Sequence, residues 1–144
     1  MVEKGTGRLL GLDYGSHRIG VAVSDPLGLI AQPLPAIRRR GDNRDIESIG
    51  ALVREFSVEA VVLGLPLMLD GTEGVQAKRA KDFGAKLGGA IGVAIEPWDE
   101  RMTTVQAERH LIASGVRREK RKEIRDSLSA ALLLQSLLDF RNRK

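Results

Sequence analysis

The chain has 144 residues, of which 42% are hydrophobic but only 3% aromatic, and its formal charge is +4. That length suits one domain, residues 1–144, with a single core built from Leu, Val, Ile and Ala. The absence of cysteine excludes disulfides, thiolate zinc sites and a cysteine nucleophile, and with no signal-like leader and no apolar run of about 20 residues the expectation is a cytoplasmic chain without a membrane partner.

Arg8 to Asp13 is apolar and ends in Tyr14-Gly15-Ser16-His17, after which Arg18 to Ser24 alternates, so the two segments predict a hairpin. Gln32 to Ile37 predicts a third strand, confined to a sheet edge by Pro33 and Pro35. Ile46, Ile49, Leu52, Val53 and Phe56 recur at helical spacing over Asn43 to Phe56. Glu59 to Leu65 is nearly continuous in apolar residues, the pattern of a strand covered on both faces. After a loop at Pro66 to Thr72, Glu73 to Leu87 predicts a helix with glycines at its end, and Gly92 to Pro97 the next strand. Thr103 to Ala113 predicts another helix, opened by Thr103 and Gln106 in capping-box positions. Gly115 to Arg125 reads as a basic, mobile link to a last helix, Ser127 to Phe140. The order is β-β-β-α-β-α-β-α-α, an α/β fold.

Three acidic positions sit where elements end. Asp13 closes the first strand, Asp99 and Glu100 follow the last strand, and Asp126 opens the final helix. Residues just beyond the carboxyl ends of strands converge on a common crevice in α/β sheets. Asp126 is in line with Ala130, Leu133 and Leu137, so if that stripe faces the sheet, Asp126 points the same way. Carboxylates gathered this closely repel one another unless a cation neutralises them, and Mg²⁺ or Mn²⁺ takes oxygen ligands and drives phosphodiester displacement. Singly, each acid also has a bland role: Asp13 as a turn former, Asp126 as a helix N-cap, and Asp99 or Glu100 in a surface turn.

Basic residues cluster at Arg38 to Arg40 and from Arg117 to Arg125. Taken alone each cluster reads as solvated loop charge, and it is also compatible with a polyanion. Trp98, Met68 and Met102 read as packing residues.

The stretches GLDYGSHRIGVAVSD (Gly11 to Asp25), VLGLPLMLDGTEG (Val62 to Gly74), DERMTT (Asp99 to Thr104) and DSLSAALLLQ (Asp126 to Gln135) resemble, in this order, those of the YqgF/RuvX family. That family is described as Holliday-junction-resolvase-like and as pre-16S ribosomal RNA nucleases. The resemblance covers nearly the whole chain. It implies a ribonuclease-H-like fold, with a central mixed five-stranded sheet flanked by helices. It also implies a divalent metal, Mg²⁺ or Mn²⁺, on an acidic triad that maps onto Asp13, Glu100 and Asp126. The implied partner is nucleic acid, either precursor rRNA or branched DNA.

Around that triad, Arg18, Arg101, Arg117, Arg118, Lys120, Arg121 and Lys122 are the candidate contacts to the nucleic-acid backbone. His17 reads as a turn residue rather than a base. The loop from Pro66 to Gly74 precedes a helix N-terminus, where backbone N–H groups can hold a phosphate, or simply permits tight turns. An exposed hydrophobic strand edge would support a homodimer.

Two other readings use the same residues. Leu12-Asp13-Tyr14-Gly15-Ser16 before a strand also resembles the phosphate-binding hairpin of the sugar-kinase, actin and chaperone ATPase group, whose two lobes this chain is too short to form. The other is a catalytically silent nucleic-acid-binding module, which has no need of three carboxylates.

Overall fold

The computed structural model describes residues 7–68, 70–99 and 118–142, with side chains of the last helix described from Leu128 onward. Five strands, β1 (Arg8–Tyr14), β2 (Arg18–Ser24), β3 (Ala31–Arg38), β4 (Val58–Leu65) and β5 (Ala94–Asp99), form one sheet in the order β3-β2-β1-β4-β5. β1 to β3 are an antiparallel meander, whereas β1, β4 and β5 run parallel, so the sheet is mixed as expected. Pro33 and Pro35 fall in β3, which is an edge strand; Pro33 lies opposite Ala22, and proline's missing N–H is tolerated there.

Helices α1 (Asp42–Glu55) and α2 (Val75–Ile91) cover one face of the sheet. The third described helix, α3 (Arg118–Arg141), covers the other. Alternation along the central strands divides the core accordingly. Leu10, Leu12, Val61 and Leu63 pack with Ile46, Ile49, Phe83 and Leu87 under α1 and α2. Leu9, Ala60 and Val62 pack with Ala130, Leu133, Leu134, Leu137 and Leu138 of α3. β4 thus buries both of its faces, the reason for its unbroken apolar run.

Two expectations need correction. α2 does not stop at Leu87 but runs through Gly88 and Gly89 to Ile91 and ends on Gly92, which is left-handed and bonds back to the Gly88 carbonyl. Its glycines are there for proximity: a Cβ at Gly84 would stand 2.8 Å from Leu63, and one at Gly88 would stand 3.1 Å from Ile95. The last helix begins at Arg118 rather than Ser127, so most of the expected basic link is helical. Arg, Glu and Lys are good helix formers, and neither glycine nor proline follows Gly115. The helix expected at Thr103 to Ala113 lies outside the described residues. No described helix is long and apolar enough to cross a membrane.

Candidate active site

Asp13 is the next-to-last residue of β1, on the face that also carries Leu9 and Gly11. That is the α3 face. Its cross-strand neighbours are Gly20 on β2 and Gly64 on β4, and Gly64 in turn is paired with Trp98 on β5. A carboxylate at the end of a strand is thereby flanked on both sides by residues without side chains. Both glycines are themselves buried, so a Val or Leu in either place would press on what covers this end of the sheet.

Gly11 sets how closely α3 lies on this face. A Cβ there would stand 2.9 Å from Leu134 Cβ and 3.3 Å from the Ala130 carbonyl. α3 runs opposite to β1. Near its C-terminal end, Gln135 donates to the Leu29 carbonyl at 2.9 Å and Asn142 to the Gly28 carbonyl at 3.0 Å. That loop joins β2 to β3 beside the start of β1, where Leu9 N donates to Ser24 Oγ at 2.8 Å. Moving from Gly11 to Asp13 advances roughly 6.6 Å along the strand. Moving back from Ala130 by four residues advances about 6 Å along the helix in the same direction. That helical position is Asp126.

The stripe Ala130, Leu133 and Leu137 is fully buried against the sheet, the condition on which the sequence argument about Asp126 depended. Asp126 is not an N-cap, because the helix starts eight residues before it. Its side chain, like those of Arg118, Lys120, Arg121 and Lys122 on the same helix, lies outside the described residues, as do Glu100, Arg101, Met102 and Arg117 altogether. Asp99 is the last residue of β5 and pairs with Leu65, a register that assigns it to the α1–α2 face, opposite to Asp13. Among the described residues no three of His, Cys, Asp or Glu gather as a metal site.

Arg18 is two residues before Gly20 and so shares the face of Asp13. His17 is exposed at the hairpin tip, and its carbonyl accepts from Arg39 N at 2.9 Å. Trp98 packs edge-on against Phe140, with ring centroids 5.6 Å apart, in agreement with its reading as a packing residue. The Pro66–Gly74 loop is closed by its own bonds, Met68 N to the Thr72 carbonyl at 2.8 Å and Thr72 N to Asp70 Oδ1 at 2.9 Å.

What the sequence did not disclose is the role of Arg39. Instead of a solvated loop charge, it donates to Asp45 at 2.7 Å, Asp42 at 2.8 Å and the Gly15 carbonyl at 3.1 Å, and lies over the Tyr14 ring at 4.6 Å. Burial opposes its charge, but the bonds to Asp45 and Tyr14 outweigh that and hold its pKa above the ordinary value. Arg39 thus ties the turn after Asp13 to the start of α1. The local signal, an Arg three and six residues before two acids, is too common to have singled it out.

A family model described as "RuvX: Holliday junction resolvase" matches residues 7–140. The chain belongs to the RuvX family. Among its relatives in that family is a "Putative pre-16S rRNA nuclease" of Syntrophus aciditrophicus, 48% identical over 92% of this chain and 88% of the relative. Another of that name, from Lactococcus lactis, is 46% identical over 92% of this chain and 94% of the relative. Solved resolvases share the fold of this RuvX-family chain. T. thermophilus RuvC, in complex with a Holliday junction, superposes with a TM-score of 0.60 at 18% identity, covering 94% of this chain and 95% of RuvC. The yeast mitochondrial Holliday junction resolvase Ydc2 gives 0.54 at 14% identity, covering 98% and 84%. The fold is ribonuclease-H-like.

Proposed function

We propose that this chain is a divalent-metal-dependent endonuclease that hydrolyses a phosphodiester of nucleic acid, with Asp13, Glu100 and Asp126 as its acidic triad. One observation carries this reading: Asp13 stands between two glycines on the very face across which α3 brings position 126 into line. Asp99 faces the other way, and Glu100 is taken as the third acid from its place in the DERMTT stretch that resembles the family's.

The donor set is all oxygen and all acidic, which fits Mg²⁺ or Mn²⁺ and not a thiolate-seeking metal. When bound, such an ion supplies charge neutralisation and polarisation of the scissile phosphodiester. Asp13 contributes a carboxylate fixed by the β1 ladder, so its position is set before substrate arrives. Gly20 and Gly64 place no side chain of their own beside it.

Backbone contacts are assigned to Arg18, Arg101, Arg117, Arg118, Lys120, Arg121 and Lys122. Arg118, Lys120, Arg121 and Lys122 occupy the first turns of α3, where positive charge opposes the helix dipole. A polyanion lying across that helix start relieves the opposition.

Precursor 16S rRNA is the favoured substrate, because relatives at 41–48% identity across nearly the whole chain carry that name. Branched DNA is the second reading, favoured by the family model's own description. Paired cuts in a four-way junction require two sites, so a homodimer belongs with the second reading. The test is side-by-side incubation of the full chain with a labelled precursor-rRNA fragment and a four-way DNA junction, in Mg²⁺, Mn²⁺ or chelator. Metal-dependent cutting of the rRNA is the expected result, and no cutting of either substrate in any metal overturns the nuclease reading.

A further inference from the structure

An open pocket of about 610 Å³ at the tip of the β1–β2 hairpin is lined by Ser16, His17, Arg18, Arg38 and Arg39. Its arginines are not equivalent. Arg39 is committed to Asp45, Asp42 and the Gly15 carbonyl, so its charge is already neutralised and it forms a fixed side of the pocket rather than its source of anion affinity. Arg38 is exposed and makes no ion pair among the described residues. It also stands directly opposite Arg18 across the β2–β3 ladder. Like charges so placed repel one another, and an anion between them relieves the repulsion.

The pocket's orientation connects it to Asp13. Arg18 is two residues from Gly20, the direct neighbour of Asp13, and Arg38 pairs with Arg18, so all three lie on one face and at one end of the sheet. Strand spacing and rise put the Cα of Arg18 about 8 Å from that of Asp13, and the Cα of Arg38 roughly 12 Å away.

We propose that this pocket binds a phosphodiester group of a nucleic-acid strand, with Arg38 and Arg18 as its charged walls and Ser16 and His17 as hydrogen-bonding groups at its rim. Guanidinium forks match phosphate oxygens in pairs, which an ammonium does not. A phosphate captured there sets the path of the strand across the Asp13 face. The inference deepens the nuclease reading and rests on it for the direction of the strand, though the capture of the phosphate is measurable without any cleavage.

The experiment titrates the full chain, in chelator, into fluorescently labelled RNA and DNA single strands and follows anisotropy at several salt concentrations. Arg38→Ala weakens binding several-fold, and lowers the slope of log affinity against log salt by about one unit. Arg38→Lys keeps the slope but binds less tightly. Lys78→Ala, an exposed lysine on α2, leaves both unchanged. In a parallel arm, NMR of the His17 ring shows shifts with the strand at concentrations where inorganic phosphate gives none. A wild-type slope for Arg38→Ala, with the melting temperature unchanged, overturns the proposal. Saturation by inorganic phosphate below the strand's own range also overturns it and assigns the pocket to the free anion. Because cleavage is not read, failure of the nuclease reading leaves this result standing. Failure of the pocket, in turn, leaves the triad untouched.

Discussion

Gly64 faces Asp13 across the β1–β4 ladder, and β4 therefore places no side chain beside the carboxylate. Adding a side chain at this buried position tests whether the close packing beside Asp13 matters to the reaction. Gly64→Val is expected to slow cleavage at least about tenfold while nucleic-acid affinity holds, because a misplacement of about 1 Å in a site can cost more than that. Gly64→Ala should fall between. Some loss of stability accompanies overpacking, about 1–3 kcal/mol, so unfolding curves are measured on the same samples. Wild-type rates for a folded Gly64→Val protein would show that the packing beside Asp13 has no part in the reaction.

Removing Asp45 should destabilise the whole hairpin end of the molecule. Its carboxylate is 1% exposed and accepts from Arg39 Nε at 2.7 Å and from Arg40 N at 3.0 Å. Asp45→Ala leaves the Arg39 charge without its buried partner, and about 3 kcal/mol is the expected loss, the low end for a broken buried pair because Asp42 remains. Urea unfolding measures it. Arg39→Lys should also be destabilising, since an ammonium cannot reproduce the fork that reaches Asp45, Asp42 and Gly15 together.

Asp25 makes a pH-dependent contribution of predictable sign. Backbone N–H groups of Ile30 and Leu29 donate to its Oδ1 at 2.9 and 2.7 Å and hold its pKa below the ordinary carboxylate value. Since the folded pKa is the lower, the stabilisation is complete above the unfolded value near about 3.9 and is lost as pH falls through the folded value. Urea midpoints for the wild type and Asp25→Asn, compared at pH 6 and pH 3, should show a smaller acid loss in the variant. Parallel losses would remove Asp25 from the account.

Much of this fold was legible because its signals are local. The prolines of β3 put it at an edge, and the unbroken apolar run of β4 buried it on both faces. Asp13 was legible for the same reason, as an acid at a strand end. The misjudged start of α3 arose from reading charge as loop, although Arg, Glu and Lys stabilise helices as well as they solvate links. Arg39 and Asp45 escaped because a buried ion pair is defined by what covers it, and the cover comes from Tyr14 and Phe83 on other elements. The glycines of α2 looked like a stop signal, and only contact with Leu63 and Ile95 reveals them as spacers.

The most direct test of the account is the cleavage rate of Asp13→Asn against wild type on the precursor-rRNA fragment in Mg²⁺, with thermal unfolding of both proteins in parallel. The variant is expected to cut about 100-fold more slowly or worse. Its melting temperature should be unchanged or slightly higher without metal, because a like-charge repulsion has been removed. Equal rates for the two proteins, or a loss of rate explained entirely by an unfolded variant, would contradict the assignment of Asp13 as the carboxylate at the centre of the reaction.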